Sequence, residues 1–226
     1  MDWLELLRGL ETVVAPPECV ACRRALAARP GADWRGALCS GCERELELDQ
    51  ASDGPGRLGA TASVTALVRY RGTGRAVLRQ LKYYGREDLG PRLGRDLGAR
   101  FRARHPARAA CPGRVVVPVP LHPWRRWRRG FNQAEAIATG VAERLGCPVV
   151  RALARRRRTE PLFAVAHADR PAAVADAFRV RLPAAVRGRP VALVDDIRTT
   201  GATAEAAAGA LLAAGCLRVD VLVVAR

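Results

Sequence analysis

From about residue 60 onward the chain alternates short apolar runs with stripes of helical spacing, which predicts an α/β domain with a mainly parallel sheet flanked by helices. Three observations carry this: β-branched runs with no polar alternation, apolar residues recurring every three to four positions between them, and glycines where those helices should stop. A small four-cysteine segment precedes the domain, so the expected division is 1–53 and 60–226.

Residues 3–14 carry an apolar stripe of Trp3, Leu6, Leu7, Leu10 and Val14, ending before Pro16 and Pro17. The cysteines follow, then a polar, glycine-containing linker over 49–59. Residues 64–70 read as a strand, and Leu89, Leu93, Leu97 and Phe101 mark a helix. The run 114–119 suits a strand covered on both faces. Ala134, Ile137, Ala138, Val141 and Leu145 define the next helix, closed by Gly146. Val149 and Val150 can begin another strand. A strand over 191–194, an alanine-rich helix over 204–214 stopped by Gly215, and a strand over 217–224 complete a strand–helix–strand unit.

The 226 residues are 49% apolar and 27% charged, which excludes collagen, low-complexity and fully disordered classes. No apolar run reaches the ~18–20 residues of a membrane span. Asp2, Glu5, Arg8 and Glu11 interrupt the first fourteen residues, so a signal peptide is not expected and the expected location is cytoplasmic. The formal charge is +16, with 37 arginines and a single lysine, Lys82. Residues 54–170 hold 25 basic and 7 acidic side chains, whereas 1–53 hold 6 and 10. An anionic partner, nucleic acid or a phosphorylated small molecule, fits that concentration of charge.

Cys19 and Cys22 form one C-x₂-C pair, Cys39 and Cys42 a second, with sixteen residues between the pairs. Two such knuckles can converge four thiolates on a tetrahedral zinc ion, which would then supply the folding free energy of so short a segment. A redox C-x-x-C would need only one pair, and paired disulfides suit an oxidising compartment. Cys111, Cys147 and Cys216 share no metal spacing and suit packing.

The strongest chemical signal lies at 191–203. Four apolar residues lead into adjacent carboxylates, Asp195 and Asp196. The small-residue turn Thr199, Thr200, Gly201, Ala202, Thr203 then opens a helix. Free N–H groups of that helix start, with the threonine hydroxyls, can surround a phosphate beyond the carboxyl ends of the strands. Neither the Walker loop nor the dinucleotide glycine pattern is present. A plain helix cap beside solvated acids is the competing account.

Asp195-Asp196-x-x-Thr-Thr-Gly-Ala-Thr resembles the signature of type I phosphoribosyltransferases. The resemblance implies that the loop holds the 5-phosphate of phosphoribosyl pyrophosphate, with Asp195 and Asp196 by the ribose hydroxyls and, through water, Mg²⁺. It also implies displacement of pyrophosphate at C1 of the ribose through an oxocarbenium-like transition state, which the acids would stabilise. More of the chain is recognisable. The four cysteines, Leu81-Lys82-Tyr83-Tyr84-Gly85, Val117-Pro118-Val119-Pro120-Leu121, Arg129-Gly130-Phe131-Asn132-Gln133-Ala134 and the terminal signature occur in one order. That order is similar to the ComF family, which implies a type I phosphoribosyltransferase-like fold behind a zinc ribbon and a link to natural competence and the processing of incoming DNA, with competence proteins as partners.

Arg125, Arg126, Arg128 and Arg129, interleaved with Trp124 and Trp127, can hold phosphates while the indoles stack on bases. A solvated basic loop with the tryptophans packed inward is the alternative. Lys82, Asn132 and Gln133 join these arginines as candidate pyrophosphate or DNA contacts, while capping is an equally good account of Asn132. The chain departs from the family pattern at Leu162, Ala173 and Asp176, where Gln, Asn and Gly are expected. Arg155 and the three arginines after it form either a DNA-phosphate contact or a solvated run. Three functions therefore stand: a ComF-like protein binding phosphoribosyl pyrophosphate and Mg²⁺ in DNA uptake, an active transferase on an unknown acceptor, or a single-strand DNA-binding module with a vestigial or regulatory phosphate site.

Overall fold

The computed structural model describes residues 18–26, 37–48, 61–121, 123–155 and 177–226, with Pro123 and Arg125 described only in their backbone. The expected helix at 3–14, the linker at 49–59, the arginines after Arg155, and Leu162, Ala173 and Asp176 lie outside the described residues.

Four parallel strands form the sheet in the spatial order β1 (Ser63–Val68), β6 (Arg218–Ala225), β5 (Pro190–Ile197), β2 (Val115–Pro118). Side chains alternate between its faces, and both faces are covered. Val191 and Leu193 join the apolar cluster around helix α7 (Ala202–Ala213), whereas Ala192 and Val194 join the cluster around helices α2 (Gly72–Tyr83), α3 (Leu89–Arg104) and α6 (Gln133–Leu145). All four are inaccessible to solvent, which is why the sequence shows no polar alternation. The strand expected at 149–150 is a single parallel bridge from Val149 to Val116. Pro148 has no N–H to extend the ladder, and the chain moves on to β3 (Leu153–Arg155), which pairs antiparallel with β4 (Phe178–Val180).

The helix predicted from Leu89, Leu93, Leu97 and Phe101 forms, and all four are buried against the sheet, each contributing about 1.5–3 kcal/mol. A second stripe, one position on, meets α6. A Cβ on Gly94 would stand 2.0 Å from the Ile137 carbonyl oxygen, and one on Gly140 would stand 1.9 Å from that of Pro91. Only glycine permits this backbone contact, so α3 and α6 lie side by side on one face.

Helix α1 (Ser40–Leu48) and the first cysteine knuckle pack on that face too. Val20, Leu38 and Leu46 share an apolar cluster with Leu67, Leu78 and Leu81. Glu45 of α1 accepts hydrogen bonds from the Thr73 N–H at 3.1 Å and the Thr73 hydroxyl at 2.8 Å, placing a carboxylate at the positive end of α2. Two short helices, α4 (Pro106–Ala109) and α5 (Pro123–Arg129), flank β2 in the chain. No helix among the described residues is long and apolar enough to cross a membrane.

Candidate functional site

Asp195 and Asp196 are the sixth and seventh residues of β5, at the carboxyl ends of the parallel strands. The alternation that buries Leu193 and Val194 on opposite faces sends the two carboxylates to opposite faces as well. Asp196 turns toward α2, where its Oδ2 lies 3.0 Å from Lys82 Nζ. Asp195 accepts the Asp196 backbone N–H at 2.8 Å. Burial pushes the Asp195 carboxyl up to about 8, and the neighbouring Asp196 charge adds to this. The Asp196 N–H, Lys82 and Arg155 pull in the other direction. Burial and the neighbouring charge thus favour a protonated Asp195 carboxyl, and a cation placed beside the pair would oppose that.

The predicted turn opens α7 as expected. Gly201 is the N-cap, with φ of +89°, and the first helical hydrogen bond runs from the Glu205 N–H to the Gly201 carbonyl at 2.9 Å. The N–H groups of Ala202, Thr203 and Ala204 precede that ladder, and Ala202 makes a long 3.4 Å contact to the Thr200 hydroxyl. Thr199 and Thr200 are exposed beside them. Arg198 is a residue that sequence reasoning passed over. Its guanidinium lies where a Cβ on Gly201 would come within 3.0 Å of it, so the loop carries its own cation.

Residues 123–129 form helix α5 rather than a loop, and its tryptophans face outward: Trp124 is 57% exposed and Trp127 83%. The Arg128 guanidinium lies 5.7 Å from the Trp124 ring centroid. Arg126 points instead to Glu135, at 3.8 Å. Arg129 reaches back over the Tyr83 ring at 5.0 Å and donates to Gln133 Oε1 at 3.1 Å. Asn132 and Gln133 are buried. Asn132 caps α6 by accepting the Ala134 N–H at 3.1 Å and donates to the Val119 carbonyl at 3.1 Å, so it fastens the helix to the end of β2. The structure thus gathers Asp195, Asp196 and Lys82 at one point and Tyr83, Arg129 and Gln133 at another.

The four thiols converge. All four Sγ atoms of Cys19, Cys22, Cys39 and Cys42 lie within 4.8 Å of one another, and Cys22 and Cys39 are 3.6 Å apart. Tetrahedral zinc with ~2.3 Å bonds sets sulfurs about 3.8 Å apart, so the cluster is compatible with structural zinc. The Cys39 N–H donates to Cys19 Sγ at 3.3 Å. The Cys42 backbone N–H and the Cys22 thiol draw the Cys39 thiol down to about 6, while burial pushes Cys42 up to about 12. A soft cation bound among them would deprotonate all four thiols outright.

Fold and site together define an α/β protein with a strand-end acid pair, a helix-opening loop and a four-thiol centre fastened to one face. No protein-family model matches the chain. It is 30% identical over 227 residues to DNA utilization protein YhgH of Escherichia coli, covering 92% of this chain and 96% of the relative. It is 35% identical over 147 residues to the protein of the same name from Salmonella typhi, covering 64% and 63%. It is 34% identical over 91 residues to competence protein F of Haemophilus influenzae, covering 39% and 40%. The chain belongs to this ComF-like family. A solved structure of the allosteric regulatory enzyme of purine biosynthesis overlays 64% of this chain and 29% of its own, with a TM-score of 0.43 and 23% identity.

Proposed function

We propose that the chain binds phosphoribosyl pyrophosphate with Mg²⁺ at Asp195, Asp196 and the 199–203 loop, and that it serves the handling of DNA taken up by the cell. The observation that carries the binding reading is the acid pair at the end of β5, followed within five residues by the left-handed Gly201 that opens α7. The helix start offers N–H groups and a positive dipole end to a phosphate, and the carboxylates suit ribose hydroxyls and a hydrated divalent cation. Mg²⁺ would supply charge neutralisation for the pyrophosphate group. The chain's own part is to hold the 5-phosphate at 199–203, to orient the ribose through Asp195 and Asp196, and to keep Lys82 on Asp196 until the ligand arrives. The role in DNA handling rests on the names of the relatives, DNA utilization and competence proteins. Calorimetric titration of phosphoribosyl pyrophosphate with Mg²⁺ tests the site: Asp195→Ala/Asp196→Ala should abolish binding, and unchanged affinity would refute the assignment.

The same site can serve transfer to an acceptor, which pyrophosphate release across a panel of bases and other nucleophiles would reveal. A single-strand DNA-binding reading is favoured by a separate observation, the outward-facing Trp124 and Trp127 on the arginine-rich α5. Exposed indoles beside guanidiniums are stacking platforms for unpaired bases. Oligonucleotide affinity should fall when Trp124 and Trp127 become alanine and should weaken steeply with salt; insensitivity to both refutes this reading.

A further inference from the structure

At the edge of the sheet beyond β2 lies a cavity of about 840 Å³, in which Arg126, Asn132 and Arg155, three residues that the sequence offers as anion contacts, meet arginines that no motif marks. Arg126 of α5, Arg151, Arg155 of β3, and Arg179 and Arg181 from β4 and just beyond it all line it. The one acidic residue among the described lining is Glu135. Glu135 engages Arg151 at 3.1 Å and Arg126 at 3.8 Å, so it aligns two of the guanidiniums and leaves the cavity with a large cationic excess. Leu121 and Leu153 give the cavity an apolar part.

The volume lies within the ~300–1,000 Å³ of small-molecule sites, far more than an inorganic ion fills. Guanidiniums are the side chains best matched to phosphate oxygens, which they grip two at a time, and their planar faces also stack on rings. Arg155 already lies 5.5 Å from the centroid of the Phe178 ring. Asn132, the N-cap of the thirteen-residue α6, is also part of the lining, so the positive end of that helix adds to the field. Five arginines on a convex surface would spread apart; here separate segments of the chain turn them into one concavity.

We propose that this cavity binds a phosphate monoester carrying a planar ring, a ligand of nucleotide size, at a site separate from the 199–203 loop. The proposal goes beyond the phosphoribosyl pyrophosphate reading and does not depend on it. Arg155 links the two places, because its charge also acts on Asp195.

The test is calorimetric titration of the full chain with deoxyadenosine 5′-monophosphate, deoxyadenosine and inorganic phosphate. The monophosphate should bind, deoxyadenosine should not, and inorganic phosphate should bind at least about tenfold more weakly than the monophosphate. Arg179→Ala/Arg181→Ala should weaken the monophosphate at least about tenfold. Arg187→Ala, an exposed arginine outside the cavity, should change affinity less than about twofold. Thr199→Ala/Thr203→Ala should leave monophosphate binding intact even where it weakens phosphoribosyl pyrophosphate. Equal effects of the Arg179/Arg181 and Arg187 variants, binding of deoxyadenosine as tight as that of its phosphate, or loss of the monophosphate only in the threonine variant would each overturn the inference. Failure of the phosphoribosyl pyrophosphate titration alone would not.

Discussion

Asp220 and Asp195 stand on adjacent parallel strands, three residues of register or about 10 Å apart, in opposite electrostatic situations. Asp220, near the amino ends of the strands, is inaccessible to solvent. It receives the Ser63 hydroxyl at 2.7 Å and the guanidiniums of Arg108 at 2.9 Å and Arg114 at 3.1 Å. Asp195, near the carboxyl ends, has a second carboxylate beside it and among the described residues accepts only the Asp196 N–H. One acid is surrounded by cations and fastens strands; the other is left short of positive charge. A carboxylate pushed toward its protonated form near neutrality is the feature on which the proposed Mg²⁺-bearing ligand would draw.

Asp220→Ala should have the largest effect. It strands Arg114, only 2% exposed, without its carboxylate, at a cost of about 3–5 kcal/mol; denaturant midpoints measure it. If stability barely moves, Asp220 is not a fastening and the contrast collapses. Asp195→Asn should do the reverse, removing ligand binding without loss of stability. Its pH dependence fixes the sign. The folded carboxyl titrates at about 8, above the ~3.9 of an unfolded aspartate. The folded state therefore binds the extra proton, and wild-type stability falls as pH rises from about 4 to about 8. The advantage of Asn over Asp should grow across that window and then level off, as urea unfolding from about pH 5 to about pH 9 would show. A pH-independent difference would mean that Asp195 is ordinarily ionised.

Lys82→Met sharpens the comparison more gently. Loss of a partly buried ion pair should cost about 1 kcal/mol or less. Lys82 helps to lower the Asp195 titration, so the pH at which Mg²⁺-dependent ligand binding is half-maximal should move upward in this variant. An unmoved binding profile would separate Lys82 from the acid pair. Glu45→Ala, remote from both acids, should cost about 0.5–2 kcal/mol as a lost helix cap and leave the contrast untouched, measured by thermal unfolding with the zinc content checked.

Much of the scaffold was legible because periodicity reports burial directly. The run at 191–194 and the leucine stripe of α3 both announce buried surfaces. The glycine stripe beside those leucines also lay in the sequence, at Gly90, Gly94 and Gly98, but spacing alone does not say which helix comes that close. The cysteine spacing foretold the convergence of four sulfurs. At the strand end the acid pair and loop were readable as a contiguous signature. Lys82 was visible as the single lysine, yet its partner Asp196 is 114 positions away and only the packing of α2 on the sheet joins them. The arginine cavity was hidden for a different reason. With 37 arginines in the chain, Arg126 and Arg155 stood out only through their neighbours in sequence, and Arg151, Arg179 and Arg181 carried no signal until the β3–β4 pair and the edge of β2 brought all five together.

Helix α2 has both its ends held from elsewhere in the chain: Glu45 sits at Thr73, and Lys82 reaches Asp196. Its buried Leu78 and Leu81 also touch the surface that Val20, Leu38 and Leu46 cover. The cysteine segment is therefore no detachable ornament. A chain cut to begin near residue 60 would bare a greasy flank and uncap the very rod that carries Lys82 to the acids, so trimming the protein for convenience would disturb the acid pair at the far end of the helix.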